Sequence, residues 1–434
     1  MLSIAVLTDA LQSLFTTDAD DAARETGFVL RKRLWTGPAF AQALVFGWLD
    51  RPDASLERLA DLAGTSKQAL EQRFTYRAVE FLARLLASAL ERCLSASSAA
   101  ALPLLRRFNG VYVEDCTTVS LPRSCAAFLP GCGGPTPDAG LAALKIFSRY
   151  EITGGSVVEV DFQAGRFPDV TAGQEYAALP AGSLRLADLG FFDLGVLASY
   201  TAQGVHWVSR LPANVTVATG ESGPIGLGAF LAGQKGDRID SPVKVGAHGE
   251  LACRLLAWRC PPEVARKRRE KLQASARKKG RQVSVRQWEL AGWTVLVTNL
   301  PPERLSGAEA WELYRARWQI ELLFKRWKGQ GGLARSAGRS RERVLCEVLA
   351  KLLGQVVANW AMLTRGGPLA GTSAARALRV VQAWARSIGR QVGVRRLLEE
   401  VLVQLVAELD RLRPTKRRKR RTTRECLDSP RCVA

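Results

Sequence analysis

One short segment of this chain carries four residue types that can act on phosphate groups. It supplies a phenol, a guanidinium, a carboxylate and an ammonium from Tyr314, Arg317, Glu321 and Lys328. On a single helix, at about 100° per residue, these side chains fall within an arc of about 60° along roughly 21 Å. Three of them can hold phosphate oxygens, whereas the carboxylate repels phosphate unless a metal ion lies between. The pattern therefore indicates a metal-assisted phosphate site.

The same segment also allows a structural interpretation. Glu321 and Lys325 have the spacing of an ordinary surface ion pair on a helix. Apolar faces for packing would come from Trp318, Leu322 and Phe324. The spacing alone leaves both interpretations open.

Two further carboxylates favour the phosphate site. Asp115 follows a short β-prone run, residues 111–113, and Asp188 closes a second run that begins at Arg185. We expect each aspartate to end a strand of one sheet, where strand ends lie a few Å apart. With Glu321 they could hold two Mg²⁺ ions about 3.5–4 Å apart, the arrangement used for phosphoryl transfer, with Mn²⁺ as a substitute.

The ligand chemistry and the compartment follow from the cysteines and histidines. The chain has nine Cys, no C-x-x-C pair and only two His, so zinc-ligand spacing is absent and oxygen-liganded ions are favoured. The odd cysteine count suits a reducing compartment. The N-terminus lacks a basic region, and polar residues interrupt the apolar stretch 344–363, which predicts a helix packed in protein. We expect a cytoplasmic protein without a membrane span.

The charge balance points to a polyanionic partner. The 434 residues include 62 Lys and Arg against 41 Asp and Glu, a formal net charge of +21. Residues 251–434 alone hold 40 basic and 15 acidic residues, so the first 250 are slightly acidic. Such a surplus favours DNA, RNA or anionic lipid. With 47% hydrophobic and 24% charged residues, the composition is that of a globular protein and excludes wholesale disorder.

The elements that would position these residues divide into several regions. Residues 1–105 are predicted to form a helical DNA-binding domain, because Gly and Pro are sparse and apolar residues recur at helical spacing. Within it, residues 55–74 have helix-turn-helix spacing. Ser66 is expected to cap the second helix, which makes Lys67, Gln68 and Arg73 available to a major groove. Two packed helices joined by a glycine turn are the alternative.

The remaining regions have a mixed α/β pattern. Residues 106–211 and 300–345 are predicted to form an α/β catalytic domain, with a mostly β insertion at 212–299. Strands are expected at 145–152 and 157–162 with a turn at 153–155 between them, and the run 283–290 is one of the strands expected in the insertion. Within the insertion, the basic run 266–281 is either a solvated segment or a phosphate contact. A C-terminal helical region at 346–413 and a basic tail at 414–434, predicted to be disordered, complete the chain.

With these motifs the sequence resembles the DDE transposases of bacterial insertion sequences, specifically those of the insertion sequence 4 family. The family signature, Tyr-x2-Arg-x3-Glu-x6-Lys, is matched at every spacing by the segment from Tyr314 to Lys328. Residues 113–122 are similar to the first-aspartate motif, residues 186–193 to the second, and residues 298–301 to the segment before the glutamate helix. The likeness covers roughly residues 50–365 and implies a ribonuclease-H-like catalytic domain.

The resemblance also implies roles for individual residues. Asp115, Asp188 and Glu321 would bind two Mg²⁺ ions, and Tyr314, Arg317 and Lys328 would hold phosphates near the cleaved end. Water would attack the phosphodiester at a transposon end, and the freed 3′-hydroxyl would then attack another strand. The partners would be double-stranded transposon ends and target DNA, bound by a homodimer in a bacterial, nucleoid-associated setting.

Trp293 occupies a place where relatives carry an aromatic residue that stacks on a flipped base. An ordinary strand tryptophan packed in a core is the alternative.

The sequence departs from the family pattern near both aspartates. Leu189 stands where an arginine is frequent, and Cys116 stands where a small residue is usual. Asp193 lies close enough to compete for the role of the second carboxylate, although a helix cap explains it better.

Two alternative functions stay open, a catalytically inactive DNA-binding regulator and a structure-specific nuclease of the same fold. A degenerate copy should have lost a carboxylate, and all three are present.

Overall fold

The computed structural model describes most of the chain, namely residues 1–30, 35–94, 102–132, 141–171, 178–220, 223–278, 280–366, 373–412 and 421–431. Residues 413–420 and 432–434, which include part of the predicted basic tail, lie outside these ranges. The remainder of that tail includes a short helix at Thr423–Asp428.

The helices begin and end at the following residues: α1 Ile4–Ser13, α2 Ala19–Glu25, α3 Gly37–Asp50, α4 Leu56–Leu62, α5 Lys67–Glu71, α6 Tyr76–Glu91, α7 Leu194–Ala202, α8 Leu227–Ala232, α9 Pro262–Lys278, α10 Val285–Leu290, α11 Gly307–Ala316, α12 Trp318–Lys328, α13 Arg341–Leu363, α14 Ala374–Gln391, α15 Arg395–Asp410 and α16 Thr423–Asp428. The strands are β1 Val111–Leu121, β2 Ala142–Glu151, β3 Ser156–Ala164, β4 Leu184–Ala187, β5 His206–Arg210, β6 Thr216–Ala218, β7 Ile225–Gly226, β8 Arg238–Val245, β9 Leu251–Arg259 and β10 Trp293–Thr298. A π-helical turn, Leu14–Asp18, joins α1 to α2. The protein is thus a mixed α/β structure in which a large sheet is accompanied by helices.

The chain divides into two compact units. Unit 1 contains residues 1–102, 115–173 and 318–424, and unit 2 contains residues 103–114, 174–317 and 425–434. Each unit is therefore assembled from three separate segments of the chain. The N-terminal helices and the C-terminal helical region share unit 1, because α13 packs against α3 and α6, and α15 packs against α1.

Helix α13 shows how unit 1 accommodates polar residues in an apolar helix. It is long and apolar enough to cross a membrane, yet 94% of its most apolar stretch is buried inside the protein. Lys351 pairs with Glu347 at 2.7 Å and donates to two backbone carbonyls. Asn359 donates to the Gly155 carbonyl at 2.8 Å. These polar groups are satisfied by protein partners, which confirms the predicted packed helix.

Unit 2 is built on strands that run in both directions. Its strand order is β1-β4-β5-β10-β9-β8-β6-β7, with β1, β4 and β5 parallel and β10 antiparallel to both β5 and β9. The buried side chains of β5, β8, β9 and β10 form one hydrophobic core with Leu197 and Phe230. The predicted β insertion therefore continues the sheet, since β10 pairs with β5.

Several predicted elements differ from the observed ones. Asp115 does not end its strand, because β1 continues to Leu121. The run 283–290, predicted as a strand, forms helix α10, whose start is fixed by a capping box between Ser284 and Gln287. The predicted single helix over the signature residues is two helices, α11 and α12, with Arg317 between them.

Other predicted elements are confirmed. The hairpin of β2 and β3 turns at residues 152–155, as expected. Asp193 caps α7, because its Oδ1 accepts from the Val196 backbone N–H at 2.9 Å. The basic run, which the sequence allowed to be a solvated helix or loop, begins within helix α9.

Candidate active site

Unit 2 brings three of the predicted site residues together. Asp188 follows β4 directly and is the residue before a 3₁₀ turn, Leu189–Phe191, where its side chain makes no capping hydrogen bond. The Tyr314 hydroxyl donates to Asp188 Oδ1 at 3.2 Å, and Arg317 Nη2 lies 4.0 Å from the same oxygen. The Arg317 guanidinium also lies 5.9 Å from the Tyr314 ring centroid. A carboxylate, a phenol and a guanidinium thus form one cluster at the end of β4.

The protonation state of Tyr314 follows from this environment. Burial raises the pKa of the phenol well above its usual value, and the nearby Asp188 carboxylate raises it further. The phenol therefore stays protonated and acts as a hydrogen-bond donor. The side chain of Asp188 is 43% exposed, whereas that of Arg317 is 13% exposed. The carboxylate can thus be reached from solvent while its two partners hold its orientation.

A buried ion pair, which the sequence analysis missed, joins the two strands that precede the aspartates. Glu114 on β1 accepts from Arg185 Nε on β4 at 2.6 Å, and the two side chains are 3% and 4% exposed. Arg185 also lies 5.0 Å from the ring centroid of Tyr200 on α7. The available signal was two opposite charges inside otherwise apolar strand runs, which suggests burial as a pair.

Unit 1 contains the first predicted aspartate, Asp115, in the interior of β1. It is partly buried, and its Oδ1 accepts from the Cys116 backbone N–H at 2.8 Å. Burial raises the pKa of the Cys116 thiol, and the Asp169 carboxylate adds to the rise. Because the thiol stays protonated, Cys116 does not add a thiolate beside the carboxylate, so the departure from the family pattern leaves the donor chemistry of Asp115 intact.

Helix α12 of unit 1 carries the predicted glutamate and lysine. Glu321 lies in its first turn and Lys328 at its last residue, and both are partly buried. Its buried side chains are those of Ile320, Leu323, Phe324 and Trp327. The Lys325 ammonium lies 4.3 Å from the Trp318 ring centroid, so Lys325 has an aromatic partner on its own helix.

Metal coordination is not shown by these positions. Across the described ranges, no group of three or more His, Cys, Asp or Glu side chains could hold a metal ion. Asp188, Tyr314 and Arg317 are clustered within unit 2, whereas Asp115, Glu321 and Lys328 belong to unit 1.

Trp293 lies in the hydrophobic core of unit 2. Its side chain is 6% exposed, and the Arg259 guanidinium stacks over its ring at 4.4 Å. This position matches the alternative interpretation, an ordinary strand tryptophan.

The helix-turn-helix segment forms α4 and α5 with the predicted turn and cap. Gly64 has a φ of +63°, and Ser66 caps α5, which is only five residues long. Lys67 pairs with Glu57 at 2.9 Å, and Gln68 is exposed. Arg73 donates to the Phe28 carbonyl at 3.3 Å and its guanidinium lies 4.9 Å from the Phe28 ring centroid, so it has a structural role here.

Comparisons of the sequence with a protein family and with curated relatives point to transposases. A model of the family described as "Transposase DDE domain" matches residues 110–355, which include all three predicted carboxylates. The transposase of insertion sequence element IS231B from Bacillus thuringiensis subsp. berliner is 28% identical over 361 residues, which are 77% of this chain and 74% of that relative. The transposase of IS1151 from Clostridium perfringens is 24% identical over 382 residues, which are 81% and 79% of the two chains. Among solved structures, a piggyBac transposase synaptic complex with hairpin DNA aligns over 96% of this chain and 86% of that one, with a TM-score of 0.43 and 8% identity.

Proposed function

Because the chain belongs to the transposase DDE domain family and is therefore an enzyme that cleaves and joins DNA, we propose that Asp115, Asp188 and Glu321 form its catalytic site. The finer assignment is to the insertion sequence 4 family, with the tyrosine, arginine, glutamate and lysine of the segment from Tyr314 to Lys328 as its signature. The catalytic domain is then ribonuclease-H-like.

The observation that carries this proposal is the cluster of Asp188 with Tyr314 and Arg317. Two residues of the proposed signature contact one of the proposed catalytic carboxylates, although they are 126 and 129 positions away in the chain. The spacing of these residues in the sequence could not have predicted their contacts with Asp188.

The donor chemistry of the proposed site fits divalent cations. Transposases of this family use divalent metal ions, and carboxylates are the ligands that Mg²⁺ and Mn²⁺ prefer. Two bound Mg²⁺ ions would supply activation of the attacking oxygen and stabilisation of the leaving oxygen. Asp188 would be held in its ligand orientation by the hydrogen bond from Tyr314.

The remaining side chains of the signature would position the DNA. Arg317 is close enough to the Asp188 carboxylate to donate to a phosphate held beside it, and Lys328 would hold a second phosphate of the cleaved end. Water would break the phosphodiester at a transposon end and release a 3′-hydroxyl. That hydroxyl would then attack a second strand, so no covalent enzyme–DNA bond is needed.

The partners are double-stranded transposon ends and target DNA. We propose that a homodimer binds paired ends, in the bacterial cytoplasm and close to the nucleoid. The N-terminal helices, with Lys67 and Gln68 exposed on α5, would contact DNA, whereas the structural contacts of Arg73 make it the weakest of the three predicted contacts.

A comparison of two variants tests the division between catalysis and positioning. Glu321→Gln keeps the size of the side chain and removes its charge, so end binding should persist while Mg²⁺-started strand cleavage falls by several orders of magnitude. Lys328→Ala should weaken binding of the cleaved end and lower cleavage only partly, because its phosphate contact exists before and after the reaction. The measurements are a gel shift on an end-containing duplex and a cleavage time course.

The matched control is Glu303→Gln, which removes an exposed carboxylate outside the proposed site. It should cleave at the native rate. If Glu321→Gln also cleaved near the native rate, Glu321 would be structural and the catalytic assignment would fail.

A further inference from the structure

Helix α9 of unit 2 carries more positive charge than its packing against the rest of the protein requires. Its 17 residues include seven Lys or Arg and two acidic residues, and Ala265 is its one buried residue. A helix with so little buried apolar surface gains little stability from a core. Repulsion among seven like charges opposes its formation further. The helix is therefore suited to contact a polyanion rather than to pack a core.

One face of α9 is anchored to the sheet. Arg268 donates to the Trp293 carbonyl at 2.9 Å and to Thr294 Oγ1 at 3.1 Å, both on β10. Arg269 donates to the Trp288 carbonyl on α10 at 3.3 Å, and its guanidinium lies 5.1 Å from the Trp288 ring centroid. Two of the seven cations thus serve to hold the helix in place.

Three lysines lie together on another side of the helix. Taking Lys267 as 0° and about 100° per residue, Lys271 lies at about 40° and Lys278 at about 20°. The anchoring residues Ala265 and Arg268 lie at about 160° and 100° by the same rule. All three lysines are exposed. They form a stripe roughly 16 Å long, which we call the lysine stripe.

We propose that the lysine stripe, Lys267, Lys271 and Lys278, is a binding surface for the DNA phosphate backbone. The proposal rests on the transposase function, which supplies DNA as the polyanion. Within the described part of the chain, none of the three lysines forms an ion pair, so each ammonium can replace a counterion on a phosphate. Lysine is a point charge without the fork geometry that reads bases, so the contact is independent of DNA sequence.

The test is the salt dependence of DNA binding by a triple variant, Lys267→Gln, Lys271→Gln and Lys278→Gln. Each lost phosphate contact should lower the slope of log K against log salt by about 0.9, so the triple variant should lose about 2–3 slope units. At about 0.1 M salt its affinity should fall at least tenfold. The loss should be the same for an end-containing duplex and for an unrelated duplex of equal length.

Two control variants separate local contact from net charge. Replacing Arg379, Arg390 and Arg396, which are exposed on α14 and α15, by Gln removes the same charge from unit 1. These changes should leave the slope close to the native value. Replacing the three lysines by Arg should restore binding, and equal melting temperatures across the set would show that each variant is folded.

The outcomes are distinguishable. A native slope in the Gln variant would overturn the proposal, as would equal losses in the unit 1 control. A loss confined to the end-containing duplex would overturn it too, because the stripe would then read sequence. If the native protein failed to bind or cleave an end-containing duplex, the transposase assignment itself would fail, whatever the variants showed.

Discussion

Removing one partner of the buried pair between Glu114 and Arg185 should destabilise the protein severely. Glu114→Gln keeps the shape of the side chain but leaves the Arg185 guanidinium, 4% exposed, without its counter-charge. The cost of breaking a buried pair in this way is about 3–5 kcal/mol. The reciprocal change, Arg185→Met, leaves the carboxylate buried without its cation and should cost a similar amount.

The double variant Glu114→Leu with Arg185→Met should behave differently. Replacing both partners with apolar groups removes the desolvation cost of both charges, so it should be nearly neutral or even stabilising. The two single effects therefore should not add. This non-additivity distinguishes a buried ion pair from two residues that pack independently.

Urea unfolding followed by circular dichroism measures these effects. With a slope of about 3 kcal/mol per M, a loss of about 3–5 kcal/mol shifts the midpoint by about 1–2 M. Hydrogen exchange of peptides from β1 and β4 would locate the loss in unit 2. Single variants that lose less than about 1 kcal/mol, or a double variant that loses the sum of both, would refute the reasoning.

Three further predictions test other parts of unit 2. Burial lowers the pKa of His206 below its usual value, and the charge of Arg304 lowers it further. His206 should therefore contribute stability that is present above about pH 6.5 and is lost as the pH falls through the lowered pKa. Melting temperatures measured from pH 8 to pH 5 should decline more steeply than those of His206→Asn. Asp193→Ala should cost about 1 kcal/mol of stability through the lost cap on α7 and leave the cleavage rate of the folded enzyme intact, whereas a loss of cleavage would make Asp193 the second carboxylate. Trp293→Ala should cost about 3–5 kcal/mol in a urea titration, and DNA affinity measured on the folded fraction should not change.

The sequence by itself determined the chemical inventory and much of the local structure. Helix caps and turns depend on near neighbours in the chain, so the caps at Ser66 and Asp193 and the turn between β2 and β3 were predictable. The resemblance of the sequence to DDE transposases is confirmed by the family match over residues 110–355. The run 283–290 was predicted as a strand from its β-prone composition, whereas the capping box between Ser284 and Gln287, which is also a local signal, starts a helix there.

Only the tertiary structure decided which charged residues serve the fold and which remain available to a ligand. Glu114 with Arg185, and Arg268 with the Trp293 carbonyl, are partners because the chain brings strands and helices far apart in sequence into contact. The contact of Tyr314 with Asp188 has the same origin. Whether a charged side chain is buried or paired depends on strand order and helix packing. Contacts between residues far apart in the sequence produce no periodic pattern from which they could be predicted.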